Sequence, residues 1–480
     1  MKYGFILVYL GSVIAISFVH VNIENPQKEI DRSEIIARRG LEKLPVDNRL
    51  QYDTARSLIN YGEPWRWESD WSWTMGDRPP LMGVLFSITA LSTLKYFHTY
   101  WDYQILGTIL NALFLLPLVF VVNKLFGNKK VSYYLIIIIF LNVFIFLNIY
   151  YTWPKLFSVF FCFVSVAILL EKRRSLTFAA LSGGLWGLAC LSHAGSLLSL
   201  PFLFLFYCIY IIKTKKTKAT LHIGSFLLVF VLLQLPWTIY KKNHPEINTQ
   251  RLLYHYMPEE YYPEDFTQKE AFDALLRFYS EYPLKEQVTH RISNLSKIIN
   301  SHYFSPTFNA LFKGNWGEYF RNIYKKEFLF PITAIGEIPI LLCFLVILFS
   351  LATSSFQIVK KRPLNLNLRL IAFFLSISLL GYIFNILLKW SLSHNHELPY
   401  FELIMVIVII YGISFSSHPA LRYFLLGLSF IRFLSYVSFT SLELKYPVFD
   451  FFNVAVVSGV IAMILIANRM STEERDLVSE

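Results

Sequence analysis

A 480-residue chain with 55% hydrophobic and only 16% charged residues, and a mean hydropathy of +0.46, is too apolar for a soluble protein of this length. Its net charge of +11 comes from Lys and Arg gathered in connectors between apolar runs, which is the positive-inside pattern of a polytopic membrane protein and not a nucleic-acid footprint. Cys162, Cys190, Cys208 and Cys343 all fall inside apolar runs without metal-ligand spacing, so neither a disulfide framework nor a zinc site is expected.

A span needs roughly 20 apolar residues, and about a dozen such runs are present. Runs such as YYLIIIIFLNVFIFLNIYY do not alternate, which removes a β-barrel. The expected fold is therefore all-α, a polytopic transmembrane bundle of about 12 spans with both termini cytoplasmic, extracytoplasmic loop helices and a small extracytoplasmic helical domain.

Residues 4–20, following Lys2, read as a retained first span, although Ala15-Ile16-Ser17 is a passable signal-peptide cleavage site. The first outer loop, 21–103, belongs to an N-terminal transmembrane module, 1–237. In it Asp47 precedes an amphipathic stretch with Leu50, Ala55, Leu58 and Ile59 at helical spacing, which Gly62 closes. Asp47 also suits the N-cap of a helix starting at Asn48. After Pro79-Pro80, residues 81–97 read as a helix lying in the interface, because 104–123 must cross inward to bring Lys124, Lys129 and Lys130 to the cytoplasmic side. Spans then follow at 131–150, 153–170, 176–192, 196–212 and 220–237, the last ending at Pro236-Trp237.

An extracytoplasmic helical insertion, 238–333, carries a capping box at Thr267 and Glu270. It also carries an amphipathic row of Leu284, Val288, Ile292, Leu295 and Ile299 behind Pro283. The C-terminal module, 334–467, holds spans at 335–353, 368–389, 400–416, 421–439 and 449–467, and an acidic cytoplasmic tail, 468–480, follows.

This topology collects Asp47, Asp53, Asp70, Asp77, Arg78, Lys155, His193, the 241–255 stretch and His394 to Glu397 at the outer face. His193 beside Ala194-Gly195 reads as a helix break. His394, Asn395, His396 and Glu397 look metal-like, but nothing on a loop fixes their geometry. Arg251 and His255 share a face if their stretch is α-helical. Trp65, Trp67, Trp71 and Trp73 suit either an interfacial belt or a sugar-stacking surface. Arg78 also suits an interfacial snorkelling role, and Lys155 a helix-end anchor.

An acid after the first span, an amphipathic helix ending near glycine, and a basic residue before Pro-Pro make a pattern (Asp47, Gly62, Arg78-Pro79-Pro80-Leu81) similar to that of GT-C integral-membrane glycosyltransferases. The aminoarabinose transferase and protein O-mannosyltransferase types are the nearest look-alikes. LQLPWTIYKKN at 233–243 resembles the point where such proteins enter their outer domain. The resemblance implies a polyprenyl-phosphate (undecaprenyl-phosphate) sugar donor and an extracytoplasmic glycan, lipid or protein acceptor, in a bacterial inner membrane. It implies Asp47 as the acid acting on the acceptor hydroxyl and Arg78 as the donor-phosphate ligand. Tyr151-Thr152-Trp153-Pro154-Lys155 stands where many relatives carry a second acid, so Lys155 is added as a phosphate ligand and Asp77 as the compensating acid. Arg251 is a further candidate for the phosphate, and Trp65, Trp67, His255 and His396 for substrate contact. No cofactor is required by the residues, and a divalent metal stays open. A lipid-linked sugar flippase and an O-antigen ligase or polymerase are the alternatives.

Overall fold

The structure is a computed structural model and describes residues 49–60, 64, 74–93, 100–126, 148–149, 152–170, 175–214, 218–247, 251–262, 268–299, 310, 313–315, 318, 376–378, 380–385 and 387–390. Asp47, Gly62, Trp65, Trp67, Thr267, Cys343, His396 and most of the C-terminal module lie outside them. Among the described residues the elements are helices, with no strand element.

Helix α1, Leu50–Ile59, has Arg49 at its cap without a side-chain bond, and the expected first residue, Asn48, lies outside the described residues. It ends where the Asn60 N–H reaches the Arg56 carbonyl at 3.1 Å, before Gly62. Helix α2, Leu81–Ser92, packs on α1. At 1.5 Å per residue it is about 18 Å long, short of the ~30 Å hydrocarbon core, as a helix lying in the interface would be. Helices α3, Tyr100–Ala112, and α4, Leu115–Phe126, meet at a turn. Their stretch Asp102–Val121 is long and apolar enough to cross a membrane.

Four helices follow: α5, Lys155–Leu170; α6, Leu176–Ser192; α7, Ser196–Thr214; and α8, Ala219–Asn243. The limits of α6 coincide with the expected span because Ser175 caps it, its hydroxyl accepting the Phe178 N–H at 3.3 Å. Helix α8 does not end at Pro236-Trp237 as expected but runs through Pro236 to Asn243. A proline inside an apolar helix removes one donor, and the turns on either side keep their bonds. Cys162 and Cys190 are buried, Cys208 is half-buried, and all three are free.

Helix α6 is the centre of the bundle, with α5 on one side and α8 on the other. Its Gly183, Gly184 and Gly187 bring the α8 backbone close. A Cβ on Gly183 would overlap the Phe226 carbonyl, and one on Gly187 would stand 3.0 Å from Leu233 Cβ. Gln234 Nε2 closes the seam by donating to the Gly187 carbonyl at 2.7 Å.

Residues 268–299 form a hairpin of two helices, α9, Gln268–Glu281, and α10, Leu284–Ile299, joined at Pro283. The Pro283 carbonyl accepts the Glu286 and Gln287 N–H groups at 3.0 Å each. Met257, Ala274 and Phe278 form its core, with Tyr261, Tyr262, Tyr282 and Trp390 packed against them. Trp390 follows helix α11, Ser376–Asn385, and its N–H donates to the His255 carbonyl at 2.7 Å. The apolar row Leu284, Val288 and Ile292 is exposed, and α10 instead buries Gln287 and Asn294.

Two outcomes test this packing. Gly183→Ala should lower thermal stability in detergent by about 1–3 kcal/mol through overpacking. Gly224→Ala on α8, where nothing lies within 4 Å, should be neutral or slightly stabilising. Burial, then Glu259, pushes the Tyr262 phenol up to about 12. Its contribution to stability is present below the unfolded value near 10 and lost as pH rises toward 12. Tyr262→Phe should flatten thermal stability across that window.

Candidate functional site

The first loop is pinned by a side chain with no motif around it. Gln51, buried on α1, donates from Nε2 to the Pro79 carbonyl at 2.8 Å and accepts the Gly83 N–H on Oε1 at 3.0 Å. The Gly83 N–H belongs to the first turn of α2, which has no acceptor within its own helix, so Gln51 acts as a tertiary cap. A Cβ at Gly83 would stand 2.8 Å from the Gln51 carbonyl, so only glycine lets the helices approach this closely. This fork fixes the bend that carries Arg78, half-buried and extended at φ −121°.

Asp77 ends the 3-10 turn Met75–Asp77. Its Oδ2 accepts the Thr74 N–H at 2.7 Å and the Thr74 hydroxyl at 3.1 Å. That turn sits on the end of α8. A Cβ at Gly76 would overlap the Ile247 carbonyl, the Tyr240 hydroxyl reaches Met75 Sδ at 3.8 Å, and Lys241 feels the Asp77 carboxylate.

Lys155 opens α5 and is only 2% exposed. Its Nζ lies 3.6 Å from the centroid of the Trp153 ring, a cation–π contact. The chain enters α5 through Thr152, a β-branched residue at φ 56°, in the left-handed region that such side chains avoid. Helix α3 holds that strain in place. Gly107 leaves room for Thr152, whose Cγ2 would stand 2.7 Å from a Cβ there. The Tyr103 hydroxyl reaches the Thr152 carbonyl at 3.4 Å, and Met82 Sδ at 3.5 Å. Asn111 clamps both sides of the bend, its Oδ1 accepting the Phe157 N–H at 3.1 Å and its Nδ2 donating to the Ile149 carbonyl at 3.4 Å. The bends carrying Arg78 and Lys155 thus meet at Tyr103.

Tyr52, Phe86, Tyr100 and Tyr103 pack edge-on and tilted beside that hydroxyl, with centroids 5.3–5.9 Å apart. Burial holds the Tyr52 phenol above its ordinary value. Arg56 and Arg49 oppose the rise, and Asp53 and Asp102 add to it. It is therefore a donor at neutral pH.

The α6–α7 turn joins Ser192 to Ser196, which are buried at 0% and 2% exposure. His193 caps α6 there, and the Gly195 N–H donates to its Nδ1 at 3.1 Å, which puts the proton of the neutral ring on Nε2. Asn385 Nδ2 donates to the Leu198 carbonyl at 3.3 Å and joins α11 to this turn. Ser378, Tyr382 and Asn385 form a buried polar stripe along α11, and Lys389, four residues past its end, has no exposed surface.

Of the residues singled out in the sequence, Asp53, Asp77, Arg78, Lys155, His193 and His255 are described with side chains. Arg251 and His255 lie in a 3-10 helix, Arg251–Tyr256, and not the α-helix their pairing assumed. At 3.0 residues per turn, positions four apart do not share a face. The Arg251 side chain is outside the described residues, as are Asp47, Trp65, Trp67 and His396. Gln51, Asn111 and Lys389 were missed. Each is a single polar residue in or beside an apolar stretch, and its only signal is that isolation. Among the described residues no three His, Cys, Asp or Glu side chains are grouped as metal ligands.

The sequence matches no family model and no curated protein. In overall path the chain is similar to ArnT from Cupriavidus metallidurans, solved bound to undecaprenyl phosphate, with TM-score 0.49 and 9% identity over 97% of this chain and 77% of that one. It is also similar to the archaeal oligosaccharyltransferase AglB from Archaeoglobus fulgidus, solved with an inhibitory peptide and a dolichol-phosphate, with TM-score 0.42 and 12% identity over 94% of this chain and 56% of that one. Both are GT-C glycosyltransferases, the kind that the first-loop residues resemble. At TM-scores below 0.5 no residue role is taken from either.

Two sets of variants check the geometry. Gln51→Leu strands the Pro79 carbonyl and the Gly83 N–H and should cost about 1–3 kcal/mol in thermal stability. Gly107→Ala should cost a similar ~1–3 kcal/mol by collision with Thr152. Thr152→Gly removes both the collision and the strained φ, so the double variant should be more stable than the sum of the single effects.

Proposed function

We propose that the chain is a membrane glycosyltransferase that moves one sugar from a polyprenyl phosphate, undecaprenyl phosphate in a bacterial inner membrane, to an extracytoplasmic glycan, lipid or protein. The observation that carries this reading is Lys155. It is a cation buried at the N-terminal end of a helix, where a phosphate would meet both the ammonium and the positive end of the helix dipole. Arg78, on the bend that meets the same Tyr103 hydroxyl through Met82, supplies a guanidinium fork for a phosphate.

In the reaction the acceptor hydroxyl gives its proton to the Asp47 carboxylate while its oxygen bonds to the anomeric carbon. The bond from that carbon to the phosphate oxygen breaks, and its electron pair leaves on the phosphate, whose charge Arg78 and Lys155 balance. One displacement inverts the anomeric centre. Asp77, already holding the Thr74 turn, orients the loop and tunes Lys241. Arg251, Trp65, Trp67, His255 and His396 complete the substrate contacts. The outer face is the end bearing Lys155, and both termini are cytoplasmic.

A flippase for a lipid-linked sugar is the second reading, and the buried polar stripe of α11 favours it.

Binding of undecaprenyl phosphate to the purified protein in nanodiscs is the first test. Arg78→Ala and Lys155→Ala should each weaken it about tenfold or more, in line with the ~1.5–3 kcal/mol contributed by a hydrogen bond to a charged group. Asp47→Asn should bind normally and lose sugar transfer. A wild type that does not bind the lipid phosphate sinks the transferase reading. Binding and sugar translocation across a vesicle membrane without transfer would favour the flippase.

A further inference from the structure

Helix α10 is assembled with its polar side inward. Gln287 and Asn294 are 2% and 3% exposed, whereas Leu284, Val288 and Ile292 are 74%, 45% and 57% exposed. The inward side is held by specific bonds. The Trp390 carbonyl accepts from Asn294 Nδ2 at 2.9 Å and pairs with His290 Nε2 at 2.9 Å, and the His290 and Trp390 rings stack at 3.8 Å. Rolling α10 to hide its leucine row would break all three contacts. Helix α9 packs inward through apolar residues but also leaves an apolar row outside. Its Ala271, Ala274 and Phe278 line is buried, and Phe272, Leu276 and Tyr279 are 53%, 53% and 41% exposed.

Arg291 joins the two rows, donating to the Tyr279 hydroxyl at 2.9 Å with its guanidinium 5.3 Å from the Tyr279 centroid. Lys269, Asp273, Arg277, Lys285 and Glu286 are exposed on the same helices. The six apolar side chains offer on the order of 500 Å², more than a soluble monomer leaves scattered on its surface. A stable dimer needs about 800 Å² from each partner, so a second copy is a poor fit. The rows stand out from two helix surfaces, with exposures from 41% to 74%.

We infer that the α9–α10 hairpin is immersed in the outer surface of the bilayer, its apolar rows in the boundary between headgroups and acyl chains. The tether agrees with this occupant. Trp390, which fixes α10, stands at the end of α11, whose Leu380 and Phe384 are 61% and 50% exposed on the side away from the polar stripe. The hairpin is therefore anchored where a lipid-facing helix leaves the membrane. Two apolar rows flanked by charges, with an arginine–tyrosine pair between them, have the profile of helices lying in an interface. The inference stands whether or not the chain transfers sugar.

The test is nitroxide accessibility in nanodiscs of phosphatidylcholine and phosphatidylglycerol. Phe272→Cys and Val288→Cys are labelled on the rows, and Asp273→Cys and Glu286→Cys on the charged side. Labelled parent protein gives the background from the native cysteines, and monodisperse elution screens for misfolding. Row labels should collide more with oxygen than with a water-soluble nickel chelate, and charged-side labels should show the reverse. Three results at the rows overturn the inference. Preferential collision with nickel means that the rows face water. Spin–spin broadening that disappears on dilution with unlabelled protein means a second copy. Protection from both reagents means a protein cover.

Discussion

Inside a membrane bundle each backbone N–H and C=O has to be satisfied by the protein itself, because the hydrocarbon offers no partner. Several bends of this chain are held by a side chain that bonds a backbone group, most often one of a distant segment. Gln51 does so for the first turn of α2, Asn111 for the entry to α5, His193 for the turn into α7, Asn385 for a carbonyl of α7, and Asn294 for the carbonyl of Trp390. These five contacts hold the bends, and two of the bends carry Arg78 and Lys155.

The site gains its order from that arrangement. Arg78 and Lys155 each sit a few residues from a clamped bend, and both bends touch one hydroxyl, that of Tyr103. The left-handed Thr152 is tolerated because Gly107 makes room for it and Asn111 ties down both flanks. Strain in a β-branched residue one turn before a buried cation is the kind of local cost that persists when neighbouring contacts overdetermine it.

Much of the bundle was legible in the sequence. Apolar runs between basic connectors placed α5, α6 and α7, and Ser175 and His193 marked the two ends of α6. The end of α8 was misread because Pro236 was taken as a stop, although a proline in an apolar helix need not end it. The Arg251–His255 pairing assumed an α-helical period where the chain is 3-10. The inward polar side of α10 was illegible because periodicity reports which residues share a face and not which face is buried. Gln51, Asn111 and Lys389 escaped for a related reason. A lone amide or amine has no period, and its role appears only when distant backbone groups arrive beside it.

Tyr103, Gly107 and Asn111, which hold the bend leading into Lys155, share one helix, α3. A substitution that displaced α3 would move all three supports of that bend together. A bend whose supports share one rigid element keeps or loses its shape as a unit, so the left-handed backbone at Thr152 and the cation that follows it answer to a single lever.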